Sequence, residues 1–285
     1  MTQDSGLVTV DKPGGLTSHD VVSRVRRLAG TRRVGHAGTL DPMATGVLVV
    51  AINRATRLLG HLTLTDKWYD ATIRLGASTT TDDAEGEVLE SRSTDALTEG
   101  VVREALGAFQ GEIDQVPSSV SAIKVGGKRA YDRVRAGEQV DLPPRRVTIH
   151  ALDVTGLDLP EVQISVHCSS GTYIRAIARD LGAALDVGGH LTALRRTAVG
   201  PFTLERARTL EELADDFSVT PIAEAARAVF PAVHLDASQA ADVLVGRRID
   251  VELTGLSALF APNGEFLALY QDGDDGRARA VAVFG

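Results

Sequence analysis

Apolar and polar positions change period along the chain, and each change predicts an element. Residues 6–12 (GLVTVDK) read as a short strand that runs into the Pro13-Gly14-Gly15 turn. Val21, Val22, Val25 and Leu28 then fall on one helical face. Thr17 or Ser18 caps that helix, Asp20 sits in its first turn, and Gly30 stops it. Residues 34–42 are glycine-rich and read as a loop, and 43–52 are apolar enough to be buried. Alternation predicts strands over 67–75, 147–154 and 161–168, and residues 79–86 form an acidic turn. Helical spacing covers 98–109 and 172–185, the second ended by Gly188-Gly189. An acidic helical stretch at 210–229 leads to Pro231, after which short strand-like runs and turn signals dominate. Strands and helices mix without strict alternation, which favours an α+β fold over a doubly wound parallel sheet. The expected division is a domain over 1–229 and a small β-rich module over 230–285.

Composition narrows the class. A chain of 285 residues with 44% hydrophobic content can bury a full core, and its longest apolar runs are too short to span a bilayer. Nothing in the N-terminus reads as an export signal. The single cysteine, Cys168, excludes an internal disulfide and a multi-cysteine zinc site. It fits a reducing cytoplasm and reads as buried core. The net charge of −8 argues against a nucleic-acid partner until its distribution is seen. Residues 1–57 carry eight Lys/Arg against four Asp/Glu, residues 124–146 seven against three, and residues 82–114 two against ten. A chain sorted this way can present a basic face while remaining acidic.

Four segments carry candidate chemistry. In Gly35-His36-Ala37-Gly38-Thr39-Leu40-Asp41-Pro42, a carboxylate ends a glycine-rich loop before a proline that biases it towards extended backbone. Alone, it reads more readily as an ordinary Asp-Pro turn or helix cap. In Lys67-Trp68-Tyr69, alternation puts the two aromatics on opposite faces of a strand, so one can leave the core to stack on a base. Arg175 and Arg179 share a helix face, suited either to surface salt bridges or to gripping a loop carboxylate. Ser121-Ala122-Ile123-Lys124-Val125-Gly126-Gly127-Lys128-Arg129 reads as a basic hairpin suited to phosphate.

In this order the segments resemble the bacterial tRNA pseudouridine-55 synthases of the TruB type. The resemblance runs from Leu7 to about Pro201. It adds Asp-Lys-Pro-Gly-Gly, the acidic Thr-Asp-Asp-Ala-Glu-Gly turn, Gly-Thr-Tyr-Ile-Arg and His-Leu-Thr-Ala-Leu-Arg-Arg to the segments above. It implies a mixed, largely antiparallel sheet flanked by helices, with a C-terminal module related to PUA domains. It also implies cofactor-free, metal-free isomerisation of a T-loop uridine of tRNA to pseudouridine. Carried over by position, Asp41 is the nucleophile, Tyr69 the stacking tyrosine and Arg175 the partner of Asp41. Tyr173 and Leu194 are pocket walls, and His36 helps take the base out of the loop. Arg57 and Lys124 stand where basic residues meet RNA. Attack by Asp41 at the sugar carbon, attack on the uracil ring, and promotion of a glycal-like intermediate all remain open. The chain is expected to act as a monomer on the T arm, without a protein partner.

The rival readings are a non-catalytic tRNA-binding or folding module and a guide-RNA-dependent pseudouridine synthase. A metal-dependent phosphotransferase built on Asp82, Asp83 and Glu85 is the weakest, since no P-loop or dinucleotide fingerprint accompanies those acids.

Overall fold

A computed structural model of the protein describes residues 5–118, 124–125, 128–129 and 142–284. The chain opens with β1 (Gly6–Lys12), α1 (Ser18–Leu28), β2 (Val34–His36), β3 (Thr45–Ile52), α2 (Leu59–Leu62) and β4 (Lys67–Leu75). The hairpin β5 (Ala77–Thr79) and β6 (Val88–Ser91) follows, then α3 (Glu99–Gly107) and β7 (Gly111–Gln115). Two short strands, β8 (Lys124–Val125) and β9 (Lys128–Arg129), precede β10 (Arg145–Asp158), β11 (Glu161–Cys168) and α4 (Ile174–Ala184). Next are β12 (Gly189–Val199), β13 (Phe202–Thr203), α5 (Leu210–Asp215), β14 (Thr220–Pro221) and α6 (Ile222–Val229). The last elements are β15 (Ala232–His234), α7 (Ala237–Leu244), β16 (Ser257–Phe260), β17 (Phe266–Asp272) and β18 (Ala278–Val283).

The main sheet runs β14-β1-β3-β12-β4-β11-β10-β7, with β2 and β13 at its sides. Its described pairings are antiparallel except for β3 with β12, which join Thr45 to Arg195 and Gly46 to Arg196 in parallel. Gly46 is required there. Its φ is 99°, and a Cβ would overlap the Arg196 backbone.

β3 reads as an unbroken apolar run because both of its faces are covered. Leu48, Val50 and Ile52 enter the core under α1 and α4, while Val47, Val49 and Ala51 join a second core with Phe260, Phe266 and Phe284. β4 alternates because only one face is enclosed: Lys67, Tyr69, Ala71, Ile73 and Leu75 point inward. The α1 cap is the one expected. Thr17 and Asp20 form a capping box, worth about 1 kcal/mol, over the buried Val21, Val22 and Val25.

Four expectations change. Val34–His36 is a strand, because its backbone pairs with Val50–Ile52 of β3 despite the glycine. The 210–229 stretch is two helices. The first ends at Asp215, where Asp216 turns extended, Thr220–Pro221 pairs with the Gly6–Leu7 edge of β1, and Pro221 precedes the second. β12 is a long central strand hidden by its arginines. The C-terminal sheet, in the order β15-β16-β17-β18, carries the helix α7, capped by Asp236. Among the described residues, no helix is long and apolar enough to cross a membrane.

Candidate active site

Asp41 lies in the loop between β2 and β3, on the wall of a pocket of about 260 Å³. That loop has no regular structure, yet its backbone is held on both sides of Asp41. Ser18 Oγ donates to the Leu40 carbonyl at 3.1 Å and accepts from the Leu40 N–H at 2.9 Å. The buried Lys12 ammonium donates to the carbonyls of Leu16 (2.7 Å), Pro13 (3.0 Å) and Pro42 (3.2 Å). The Gly15 N–H reaches the same Pro42 oxygen at 2.8 Å. From below, the buried Arg196 guanidinium donates to Val47 (2.8 Å), Gly38 (3.1 Å) and Thr39 (3.4 Å). Two buried cations thus fix the polar backbone of a loop whose Ala37, Leu40 and Ala44 are anchored in the core.

Arg175, at the start of α4, is 4% exposed and aims Nε at Asp41 Oδ2, 3.0 Å away. Its Nη1 donates to the Thr81 carbonyl at 2.8 Å and lies 3.5 Å from Asp83 Oδ2. Asp83 is itself buried and accepts from the Glu85 N–H at 3.1 Å and from the Thr81 hydroxyl. The acidic turn therefore grips the guanidinium from behind and presents its Nε to the loop. Arg179, one turn on, holds the same turn through Asp82 at 3.3 Å and reaches the Val116 carbonyl at 2.8 Å. These pairs give Asp82 and Asp83 a job within the fold, which removes the basis for a phosphotransferase built on them.

Tyr69 comes off the inner face of β4 into the pocket and is 7% exposed. Burial raises its phenol pKa, so the ring is a neutral face. Tyr173 and Leu194 also line the pocket. Gln115 fixes the Tyr173 backbone at both polar atoms, accepting from its N–H at 2.8 Å and donating to its carbonyl at 3.1 Å.

His36 stands outside the pocket wall, on β2, with its ring edge-on to His19 at 5.6 Å. Burial, with His19 and Arg196 nearby, pushes its pKa down to about 4. Its Nδ1 is enclosed with no hydrogen-bond partner among the described residues. Burial also lowers Lys12 and Lys67 to about 8, and raises the Cys168 thiol to about 11, as suits a core cysteine.

The structure thus joins Asp41, Arg175, Tyr69, Tyr173 and Leu194 in one pocket. Arg57 is elsewhere: it donates to the Val283 carbonyl at 2.6 Å, beside Arg54 on Phe284 at 2.8 Å. Lys124 stands on β8, paired with Arg129 of β9, and its side chain lies outside the described residues. Sequence reasoning missed Lys12 and Arg196, and named Ser18 only as a helix cap and Asp83 only as a rival site's acid, not as supports of the Asp41 loop and of Arg175. A signal existed for Arg196, since a charged residue in the inward phase of a buried strand must have partners.

Known proteins show the same arrangement of chain. The N-terminal domain of TruB family pseudouridylate synthase matches residues 26–174. The tRNA pseudouridylate synthase B C-terminal domain matches 175–231, and the C-terminal part of tRNA pseudouridine synthase II matches 230–285. A tRNA pseudouridine synthase B of Thermobifida fusca is 60% identical, covering 98% of each chain. One from an Arthrobacter species is 58% identical, covering 98% of this chain and 96% of the relative. Among solved structures, a chain of a Cbf5-Nop10-Gar1 complex superposes with a TM-score of 0.75 at 27% identity, covering 98% of this chain and 83% of that one. A chain of an H/ACA RNP bound to a substrate RNA containing 2′-deoxyuridine gives 0.74 at 25% identity, covering 98% and 85%. With its pocket framed by the motifs that span these matches, this chain belongs to the TruB family of pseudouridylate synthases.

Proposed function

We propose that this protein isomerises the T-loop uridine at position 55 of tRNA to pseudouridine, with Asp41 as its nucleophile. The observation that carries the reading is the Asp41–Arg175 pair: a part-exposed carboxylate, 3.0 Å from a buried guanidinium, facing an aromatic pocket. Relatives at 58–60% identity bear the name tRNA pseudouridine synthase B, which supports tRNA as the substrate. In the reaction the bond from ribose C1′ to uracil N1 breaks and one from C1′ to C5 forms. The C5 proton leaves and N1 takes one up, so the atoms balance without an oxidant, reductant or second substrate.

The uridine must leave its stack to reach Asp41, at a cost of a few kcal/mol. Tyr69 and Tyr173 offset part of that cost by offering aromatic faces, and Leu194 closes the apolar side. His36, neutral at physiological pH, offers a ring that occupies the space of the extruded base. Arg175 orients the Asp41 carboxylate, and Lys12 and Arg196 hold the loop so that this orientation is built before substrate arrives. Other basic residues of the segments 1–57 and 124–146, Lys124 included, meet the phosphates of the T arm, while the Arg57 donor is taken by the Val283 carbonyl. The 230–285 unit is a PUA-like module that adds RNA contact, and the enzyme works as a cytoplasmic monomer without guide RNA or protein partner.

The test is purified protein mixed with unmodified tRNA transcript alone, with pseudouridine mapped along the RNA. Modification confined to the T-loop uridine is expected. Modification that needs an added guide RNA, or that falls elsewhere, contradicts the proposal.

A further inference from the structure

The face of β4 opposite the pocket carries a second group of residues that the isomerisation does not use. Tyr69 points into the pocket, so Trp68 points the other way, where it stacks on His167 of β11 at 4.1 Å with the ring planes 8° apart. His167 Nε2 faces the Asp66 carboxylate, 3.2 Å from Oδ2, and His150 Nε2 reaches the same oxygen at 3.3 Å. His150 stands at a bulge in β10, between the pairs Ile149–Cys168 and Ala151–His167. Bulges re-aim side chains, and this one brings a second imidazole to the oxygen the first already faces. The three ligand atoms lie within 4.8 Å of one another.

Two imidazoles and a carboxylate form a typical donor set for zinc-class cations. Ligand bonds of about 2.0–2.2 Å at tetrahedral angles separate neighbouring ligand atoms by about 3.3 Å. The two nitrogen–oxygen distances here are 3.2 and 3.3 Å. The frame is also fixed. The residues come from three neighbouring strands or their ends, in the order β4-β11-β10, and Trp68 holds the plane of the His167 ring. Asp66 and His150 are partly open to solvent, which leaves room for water as a fourth ligand.

We propose that Asp66, His150 and His167 bind one divalent transition cation of the zinc class, clasping β4, β11 and β10 on the face away from the pocket. The cation serves the sheet and takes no part in the isomerisation.

Trp68 is the only tryptophan of the chain, so its fluorescence reports on this site alone. The full-length protein, freed of metal and without a histidine tag, is titrated with Ni²⁺ while Trp68 emission is followed, and with Zn²⁺ by calorimetry. Saturable quenching by Ni²⁺ with one equivalent bound, reversed by Zn²⁺, is expected. The His150→Gln/His167→Gln variant should bind at least about 10- to 100-fold more weakly, since outer-shell partners alone are worth that much. Modification of tRNA by this variant should persist. His150→Gln alone, at an exposed bulge position, repeats the comparison if the double variant folds poorly, and His234→Gln should leave binding unchanged. Absence of one-to-one binding, or wild-type affinity in the double variant or, where that folds poorly, in His150→Gln, overturns the site.

Discussion

The cleft and the C-terminal sheet bury opposite kinds of side chain. Around Asp41 the interior holds Lys12, Lys67, Asp83, Arg175 and Arg196, whereas Ser257 is the only buried polar side chain among the described residues of 230–284. The C-terminal unit is closed by Phe260, Phe266, Phe284 and Leu269 packed in one core with β3, and by Leu259, Leu267 and Tyr270 in a core of its own. An apolar core is the cheaper way to hold a fold together, because each buried charge costs several kcal/mol of hydration that its partners only partly return. The charges in the cleft therefore serve geometry: they hold backbone carbonyls and one carboxylate in place where a substrate must enter and no apolar packing can fill the space.

The largest expected effect on stability belongs to the apolar side of this contrast. Phe260→Ala should destabilise the protein by about 3–5 kcal/mol, read from denaturant unfolding, while turnover per folded molecule stays near normal. A loss of turnover at full folding would show that the C-terminal core shapes the cleft. Lys12→Met is the opposite case. Turnover should fall on the order of 10²-fold as the Asp41 loop loosens, while stability changes by no more than about 1 kcal/mol, because relief of a buried charge offsets the lost hydrogen bonds. A large drop in melting temperature would make Lys12 a structural residue.

His36 adds a pH dependence with a definite sign. Its folded pKa of about 4 lies below the ordinary 6.5, so the folded state refuses a proton that the unfolded chain accepts between those values. Stability from this group is complete above pH 6.5 and is lost as pH falls towards 4, by at most about 3 kcal/mol. His36→Gln should flatten that part of the stability-against-pH curve. An unchanged slope would place the loss elsewhere. The smallest effect is expected from Arg57→Ala, which removes one exposed hydrogen bond to Val283 and should cost about 1 kcal/mol or less. The salt dependence of tRNA binding should keep its slope, whereas a decrease of about one would return Arg57 to the RNA interface.

Much of this was legible in the sequence, and the failures follow a pattern. β4 and α1 were readable because each has one enclosed face, which imposes a period of two on Lys67–Leu75 and the Val21, Val22, Val25 stripe on α1. β12 was not, since its inward phase includes Arg196, whose partners are carbonyls in a loop more than 150 residues upstream. Asp41 and Arg175 were named through a resemblance spanning seven motifs, and spacing alone left each with an ordinary surface reading. The role of Asp83 as backstop to Arg175 depends on the 79–86 turn meeting α4, a long-range contact that no local pattern encodes. Arg57 shows the reverse: a basic residue in a basic segment whose donor is taken by the C-terminal strand.

Asp41→Asn tests the proposed nucleophile most directly, because it keeps the size of the side chain and removes its carboxylate. Purified variant and wild type are compared on unmodified tRNA for pseudouridine formation and for binding. Pseudouridine formation should fall by on the order of 10⁴-fold or more while tRNA affinity stays within a few-fold of wild type. Modification at a near-normal rate in the variant would contradict the assignment of Asp41 as the nucleophile.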